Sequence, residues 1–223
     1  MFLHLGEITP NRCRVSLLEN DSTIAVGFSG NPAVELYDLE SRSKKGVVLK
    51  GPDNLGVSKV ASCHDKNLVA VGYNDGSIRI WKVGRDIPPE ELPADHTPIY
   101  GFALSGDGGW LASGARSGEI IIWHARNGKW AKFGLLKGHS DGSFGLAWLQ
   151  SEELTLASAS LDTTVRLWDV ASLSQRAVLR GHKYSVSGLA VNPDGTELAS
   201  FSASGGRIHI WRAPRDVDTS TDQ

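Results

Sequence analysis

Within a single stretch the chain brings together His139, Ser158, Ser160, Asp162 and Trp168. A serine, a histidine and an aspartate in one unit are the side chains of nucleophilic acyl transfer, in which the imidazole takes the hydroxyl proton and the carboxylate orients the ring. That chemistry also asks for an exposed nucleophile and an oxyanion-binding elbow, often written G-x-S-x-G, and none accompanies this set. A second candidate is the glycine-rich segment Ser105-Gly106-Asp107-Gly108-Gly109, whose composition suits a phosphate cradle. No helical pattern follows it, so it reads as a turn between two strands.

The other reactive residues are scattered. His4, His64, His124 and His209 show no zinc spacing, and the only cysteines, Cys13 and Cys63, make neither a disulfide framework nor a metal-ligand pair, so no metal and no cofactor is expected. Arg42, Lys44 and Lys45 form a small basic loop of the kind that is usually solvated. A formal net charge of −2 and a pI near 6.4 disfavour phosphate-tracking surfaces, hence nucleic acid and anionic membranes as partners. No apolar run approaches a membrane span, and MFLHLG is too short and too soon followed by Glu7 and Pro10 to be an export signal. The expectation is a soluble protein of the cytoplasm or nucleus, in which Asn20-Asp21-Ser22 is a turn and not a glycosylation site.

The elements that position these residues emerge from a repeat. Five segments end alike, VELYDL (34–39), IRIWKV (78–83), IIIWHA (120–125), VRLWDV (165–170) and IHIWRA (208–213), with aromatic anchors Tyr37, Trp81, Trp123, Trp168 and Trp211. The anchors stand 44, 42, 45 and 43 residues apart, and each segment alternates apolar with polar residues at the period of a strand. Between anchors lie two more alternating runs split by turn signals such as Asn192-Pro193-Asp194-Gly195, and a fourth apolar step, VVLKG (47–51), GLLKG (134–138) or AVLRG (177–181). Each unit is therefore expected to be a four-stranded antiparallel meander.

A Gly-His pair followed at fixed distance by Trp-Asp, on a period of 40 to 45 residues, resembles the WD-repeat (WD40) family of β-propellers. His139 to Trp168 and His182 to Trp211 are both 29 residues apart. The resemblance implies an all-β fold: a propeller of about five four-stranded antiparallel blades over residues 1–213, with units ending near 39, 83, 125, 170 and 213. Residues 214–223 read as a polar, disordered tail. The last unit lacks a fourth strand of its own, and FLHLG (2–6) has the composition and position to supply it. Five units is fewer than the seven usual in the family. Three arrangements stay open: a ring closed by MFLHLG, an open ring that accepts a strand or blade from a partner, and the terminal part of a longer propeller.

The same resemblance implies that His139, Ser158 or Ser160, Asp162 and Trp168 form a buried structural tetrad and not a catalytic site. The other units depart from the pattern. The third has His96, Ser113 and Trp123 with Ser117 in place of the aspartate; the fifth has His182 and Trp211 with Gly205 there. The second keeps Asp75 and Trp81 but has Gly51-Pro52-Asp53 for Gly-His, and the first offers Asn31 and Tyr37. Partner contacts in the family fall just after the histidine and just before the aspartate. Those positions here are Gly142, Phe144 and Leu161 in the fourth unit, Ser185, Ser187 and Ser204 in the fifth, Tyr100 and Arg116 in the third, and Ser58 and Asn74 in the second. Tyr100, Phe144 and Leu161 beside Arg116 have the composition of a binding hot spot, or else the aromatics pack between blades. The expected role is a non-catalytic scaffold for a protein or peptide partner in a larger assembly, with a chromatin or nucleic-acid reader as the alternative and a propeller hydrolase behind both. If only the fourth unit is fully locked, amide hydrogen exchange followed by segment will be slowest there and fastest in the first unit.

Overall fold

The computed structural model describes residues 13–18, 22–63, 65–93, 98–149 and 154–212. These residues form strands and turns, with no helix among them. The first blade contains β1 (Cys13–Leu18), β2 (Thr23–Phe28), β3 (Ala33–Asp38) and β4 (Ser43–Lys50); the second contains β5 (Val57–Cys63), β6 (Leu68–Tyr73), β7 (Ile78–Lys82) and β8 (Glu90–Leu92). The third runs through β9 (Gly101–Leu104), β10 (Trp110–Gly114), β11 (Ile120–Arg126) and β12 (Lys129–Leu136), and the fourth through β13 (Ser143–Leu149), β14 (Thr155–Ser160), β15 (Val165–Asp169) and β16 (Ser174–Leu179). The fifth has three described strands, β17 (Gly188–Val191), β18 (Glu197–Ser202) and β19 (Arg207–Arg212). Every sheet is an antiparallel meander in chain order, and the aromatic anchor lies on its third strand.

The first strands of successive blades pack side by side, β1 on β5, β5 on β9, β9 on β13 and β13 on β17. Strands that meet their counterparts in this way lie nearest the common axis, so each blade fans outward from its first strand. No comparable packing joins β17 back to β1 among the described residues. The strand expected from FLHLG, the tail 214–223 and His4, His64 and His96 lie outside the described residues.

The core is divided among the blade interfaces. Leu18, Val34 and Leu36 of the first blade meet Val69, Val71, Tyr73 and Trp81 of the second; Ala70, Ile78 and Ile80 of the second meet Leu111, Ile121 and Trp123 of the third. Ala112, Ile120 and Ile122 of the third meet Leu156 and Trp168 of the fourth, and Ala157, Ala159 and Val165 of the fourth meet Val186 and Leu198 of the fifth. Successive residues along a strand thus point to different neighbours, as the two-residue period requires. This explains why β14, Thr155-Leu156-Ala157-Ser158-Ala159-Ser160, is buried at every position.

In the second to fifth blades the tryptophan faces the preceding blade, and the aliphatic residues one and three positions before it, isoleucines in the second, third and fifth, lie on the opposite face. In the third blade those isoleucines, Ile120 and Ile122, are fully buried. Their counterparts in the fifth, Ile208 and Ile210, are 68% and 52% exposed, with Phe201 beside them; at the other end Val15 and Leu17 of β1 are also exposed. The two outer faces of the described array are apolar and uncovered. Leu156→Ala, at a filled interface, is expected to cost about 2–5 kcal/mol of stability, whereas Ile208→Ser should change it by about 0.5 kcal/mol or less, both read from urea unfolding.

Candidate functional site

Antiparallel pairing puts the start of the first strand and the turn between the second and third strands at the same end of every blade. In the fourth blade that end is fixed by a directed chain of hydrogen bonds. The Trp168 indole N–H donates to Ser158 Oγ at 2.8 Å, Ser158 lies 2.7 Å from His139 Nε2, and His139 Nδ1 lies 2.8 Å from Asp162 Oδ2. An indole only donates and an ionised carboxylate only accepts, so the direction is forced. His139 carries its proton on Nδ1, gives it to Asp162, and accepts the Ser158 hydroxyl at Nε2.

The Asp162 carboxylate also accepts from the Thr164 N–H at 2.9 Å, the Thr164 hydroxyl at 2.6 Å and the Ser140 N–H at 3.2 Å. Ser160 has a separate task. It donates to the Asp141 carbonyl at 2.8 Å and accepts the Asp162 N–H at 3.0 Å, tying the turn to the loop that follows His139. Ser158 therefore carries the chain and Ser160 braces the turn, which separates the two serines that the sequence left as alternatives.

Burial pushes His139 below the ordinary histidine value of 6.5, against the pull of Asp162. Burial would raise Asp162, but the bonds from Thr164 and His139 outweigh it and hold the carboxyl down to about 2 from an ordinary 3.8. A neutral imidazole hydrogen-bonded to an ionised carboxylate results.

The other blades keep parts of this chain. In the fifth, the Trp211 indole donates to Ser200 Oγ at 2.8 Å and Ser200 lies 2.7 Å from His182 Nε2. In the third, Trp123 donates to Ser113 at 3.0 Å. In the second, Asp75 accepts the N–H and hydroxyl of Ser77, while Val71 stands where Ser158 does in the fourth. In the first, the Tyr37 hydroxyl turns to Glu35.

The residues expected to meet a partner fall into a band along the same end. Ser58 and Phe144 are each the extra residue of a β-bulge: pairing steps from Val57–Tyr73 to Lys59–Gly72 and from Ser143–Ser160 to Gly145–Ala159. A bulge leaves one residue out of the ladder and re-aims its side chain. Phe144 meets Tyr100 with ring centroids 4.8 Å apart and planes tilted by 40°. Gly142 lies between Phe144 and the Arg116 backbone, and its carbonyl accepts the Leu161 N–H at 3.0 Å. The Ser185 hydroxyl reaches the Leu161 carbonyl at 3.3 Å, and the Ser58 hydroxyl donates to the Ile99 carbonyl at 2.6 Å.

Tyr100, Phe144, Leu161 and Arg116 are thus brought together across the third and fourth blades, and Ser58 and Ser185 extend the band to either side. Both aromatics are half-buried and pack across the blade boundary, so packing and exposure coexist at this pair; Arg116 is exposed. Asn74 is exposed in the second-blade turn, and its N–H donates to the Gly56 carbonyl. Ser187 is exposed on the fifth blade, and Ser204 lines a separate cavity there.

Two groups escaped the sequence reading. Arg14 donates through Nε to the Ser58 carbonyl at 2.8 Å, and burial, then the charge of Arg14, lowers Lys59 to about 8. Both sit on first strands, Arg14 on β1 and Lys59 on β5 just after the bulge at Ser58. Among the described residues no three His, Cys, Asp or Glu side chains are grouped to hold a metal ion.

Stacked antiparallel meanders, four of four described strands and one of three, each with Tyr37 or a tryptophan on its third strand, define a β-propeller type of repeat array. The family model described as "WD domain, G-beta repeat" matches residues 43–82, 90–124, 130–169 and 173–212, and the chain belongs to the WD-repeat family. It is 30% identical over 206 residues to WD repeat-containing protein slp1 of Schizosaccharomyces pombe, covering 91% of this chain and 40% of that protein. It is 28% identical to transcription factor unc-37 of Caenorhabditis elegans, covering 83% and 30%, and 32% identical to a chromatin assembly factor 1 subunit FAS2 homolog of Oryza sativa subsp. japonica, covering 70% and 33%. The chain thus spans well under half the length of these relatives.

His139 and Asp162 both bind protons less readily folded than unfolded. Their contribution is fully present above the unfolded values and is lost as pH falls. Urea midpoints measured across pH are expected to decline from about 6.5 downward, as His139 of the unfolded chain protonates, and again from about 3.8 toward 2 as Asp162 does. Asp162→Asn should shrink the second decline and cost about 1–3 kcal/mol at neutral pH.

Proposed function

We propose that this chain is a non-catalytic interaction scaffold whose bulged loop end docks a protein or peptide partner within a larger assembly. The observation that carries the reading is the Tyr100–Phe144 pair at the boundary of the third and fourth blades, with exposed Arg116 and half-buried Leu161 around it. Aromatic, aliphatic and guanidinium groups presented together by a rigid scaffold are the usual makings of a binding hot spot.

The geometry of the fourth-blade chain speaks against hydrolysis. Ser158 is fully buried, with the Trp168 indole bonded to its oxygen, so no substrate carbonyl can reach it. Proteins named as a transcription factor and as chromatin assembly factor subunits stand among the similar ones, which favours a nuclear setting and partners of protein nature. The near-neutral charge balance keeps direct nucleic-acid binding behind protein binding.

Capture from cell extract with the tagged chain, quantified against the Phe144→Ala/Arg116→Glu double variant, tests the reading. Captured partner should fall about tenfold or more in the variant. A folded variant that captures as much as the unaltered chain would sink it.

A further inference from the structure

The fifth blade repeats the hydrogen-bond chain of the fourth with its last member missing. Trp211 and Ser200 fix His182 through Nε2 as Trp168 and Ser158 fix His139. Ser200 is buried, and its other partner among the described residues, the Trp211 indole, cannot accept, so the serine proton goes to His182 Nε2 and the imidazole proton sits on Nδ1. In the fourth blade that nitrogen meets the carboxylate of Asp162; in the fifth, no described residue stands opposite it.

The reason lies in the turn. In the fourth blade three residues, Leu161, Asp162 and Thr163, separate Ser160 from Thr164; in the fifth, Ser202 pairs with Arg207 across four, Ala203, Ser204, Gly205 and Gly206. Ser204 and Gly205 share the place of the aspartate, and neither carries an acid.

What remains is a cavity of about 320 Å³ lined by His182, Lys183, Tyr184, Ser202, Ser204 and Arg207, together with Gly205. Ser202 is 2% exposed, and its hydroxyl has no hydrogen-bond partner among the described residues. A side-chain carbon at Gly205 would stand 2.9 Å from the Tyr184 ring and 3.9 Å from that hydroxyl, so Tyr184 bounds the place an acid would occupy. The counterpart of Ser202 in the fourth blade, Ser160, is doubly bonded. Lys183 follows the histidine as Ser140 does in the fourth blade, and Arg207 stands where Thr164 does, so the positions that serve Asp162 there carry two cations here. His182 stacks on His209 with ring centroids 4.1 Å apart, and burial, then the charge of His209, holds it below the ordinary histidine value. The imidazole is therefore a neutral donor fixed on one side and open on the other.

We propose that this cavity binds the side-chain carboxylate of an aspartate or glutamate in an acidic segment of a partner protein, which completes the fifth blade's chain from outside. The fourth blade shows the complement: the same imidazole edge there is filled by a carboxylate, which takes two further N–H groups and a hydroxyl. The site rests on the scaffold reading above and names one feature its partner would carry.

The test uses the full chain labelled with ¹⁵N. Acetyl-Gly-Asp-Gly-amide, its Asn counterpart and inorganic phosphate are titrated separately while the His182 ring nitrogens and the amides of 203–207 are followed. The Asp peptide should give saturable shifts, with the Asn peptide and Arg207→Ala each weakening the response about tenfold or more. Ser204→Asp, which supplies the carboxylate internally, should abolish the response and move the His182 resonances toward those of His139. Equal responses to the Asp and Asn peptides, a response to phosphate alone, or a folded chain that ignores all three would overturn the assignment. If the cavity is silent while capture still depends on Phe144 and Arg116, this inference alone fails; a responsive cavity with capture indifferent to those residues overturns only the reading of that cluster.

Discussion

A tryptophan indole has one N–H and no acceptor, and burying it at a sheet interface obliges the fold to bring an oxygen to it. Most of the ordering at the loop end follows from that constraint. On β15 the indole of Trp168 finds Ser158 on the adjacent strand; the serine, having accepted, must donate, and His139 takes the proton; the histidine must then donate, and Asp162 receives it. The last two residues lie outside the strands. The chain therefore reaches from the middle of the sheet into the loops and holds both the entry to β13 and the turn after β14. Gly142 and Phe144, three and five residues beyond His139, inherit their positions from it. A hydrogen-bond network that is fully satisfied in a low-dielectric interior specifies one geometry, and here it specifies where the exposed residues stand.

Each blade also needs a neighbour. A sheet whose two faces are both apolar is stable only between two others, which is why the cores lie at the blade boundaries and why Ala157 and Leu156, adjacent in sequence, belong to different ones. The band from Ser58 to Ser185 is built on those boundaries: Tyr100 meets Phe144 from the next blade, and Ser185 reaches back to Leu161. A binding surface made this way is as rigid as the stacking beneath it.

Much of the fold was legible because it is periodic. Tyr37 and four tryptophans at nearly equal intervals, with alternating residues before each, mark third strands, and the turn signals between them mark the rest. The choice between Ser158 and Ser160 was not legible, since residues two apart share one face of a strand and both are buried. The bulges at Ser58 and Phe144 were hidden for a related reason: a bulge inserts a residue without calling for glycine or proline, so Ser143-Phe144-Gly145 reads as ordinary strand.

The fifth blade shows how an equal count can conceal a structural difference. His139 to Trp168 and His182 to Trp211 span the same 29 residues, which makes the two units look alike. Internally they differ, because the serine stands 19 residues after the histidine and 10 before the tryptophan in the fourth blade, but 18 and 11 in the fifth. The extra residue lies in the turn that would carry the acid. Spacing from the histidine or from the tryptophan assigns Gly205 to that place, whereas spacing from Ser200 assigns Ser204. A buried serine hydroxyl without a partner among the described residues costs an isolated fold about 1–3 kcal/mol, while the imidazole N–H beside it faces the cavity. The same donors are ready for a ligand, since the indole and serine behind the imidazole hold it in position before any ligand arrives. One construction thus serves both ends: closed by its own aspartate it locks a blade, and left open it presents oriented donors at the surface where the neighbouring loops already gather.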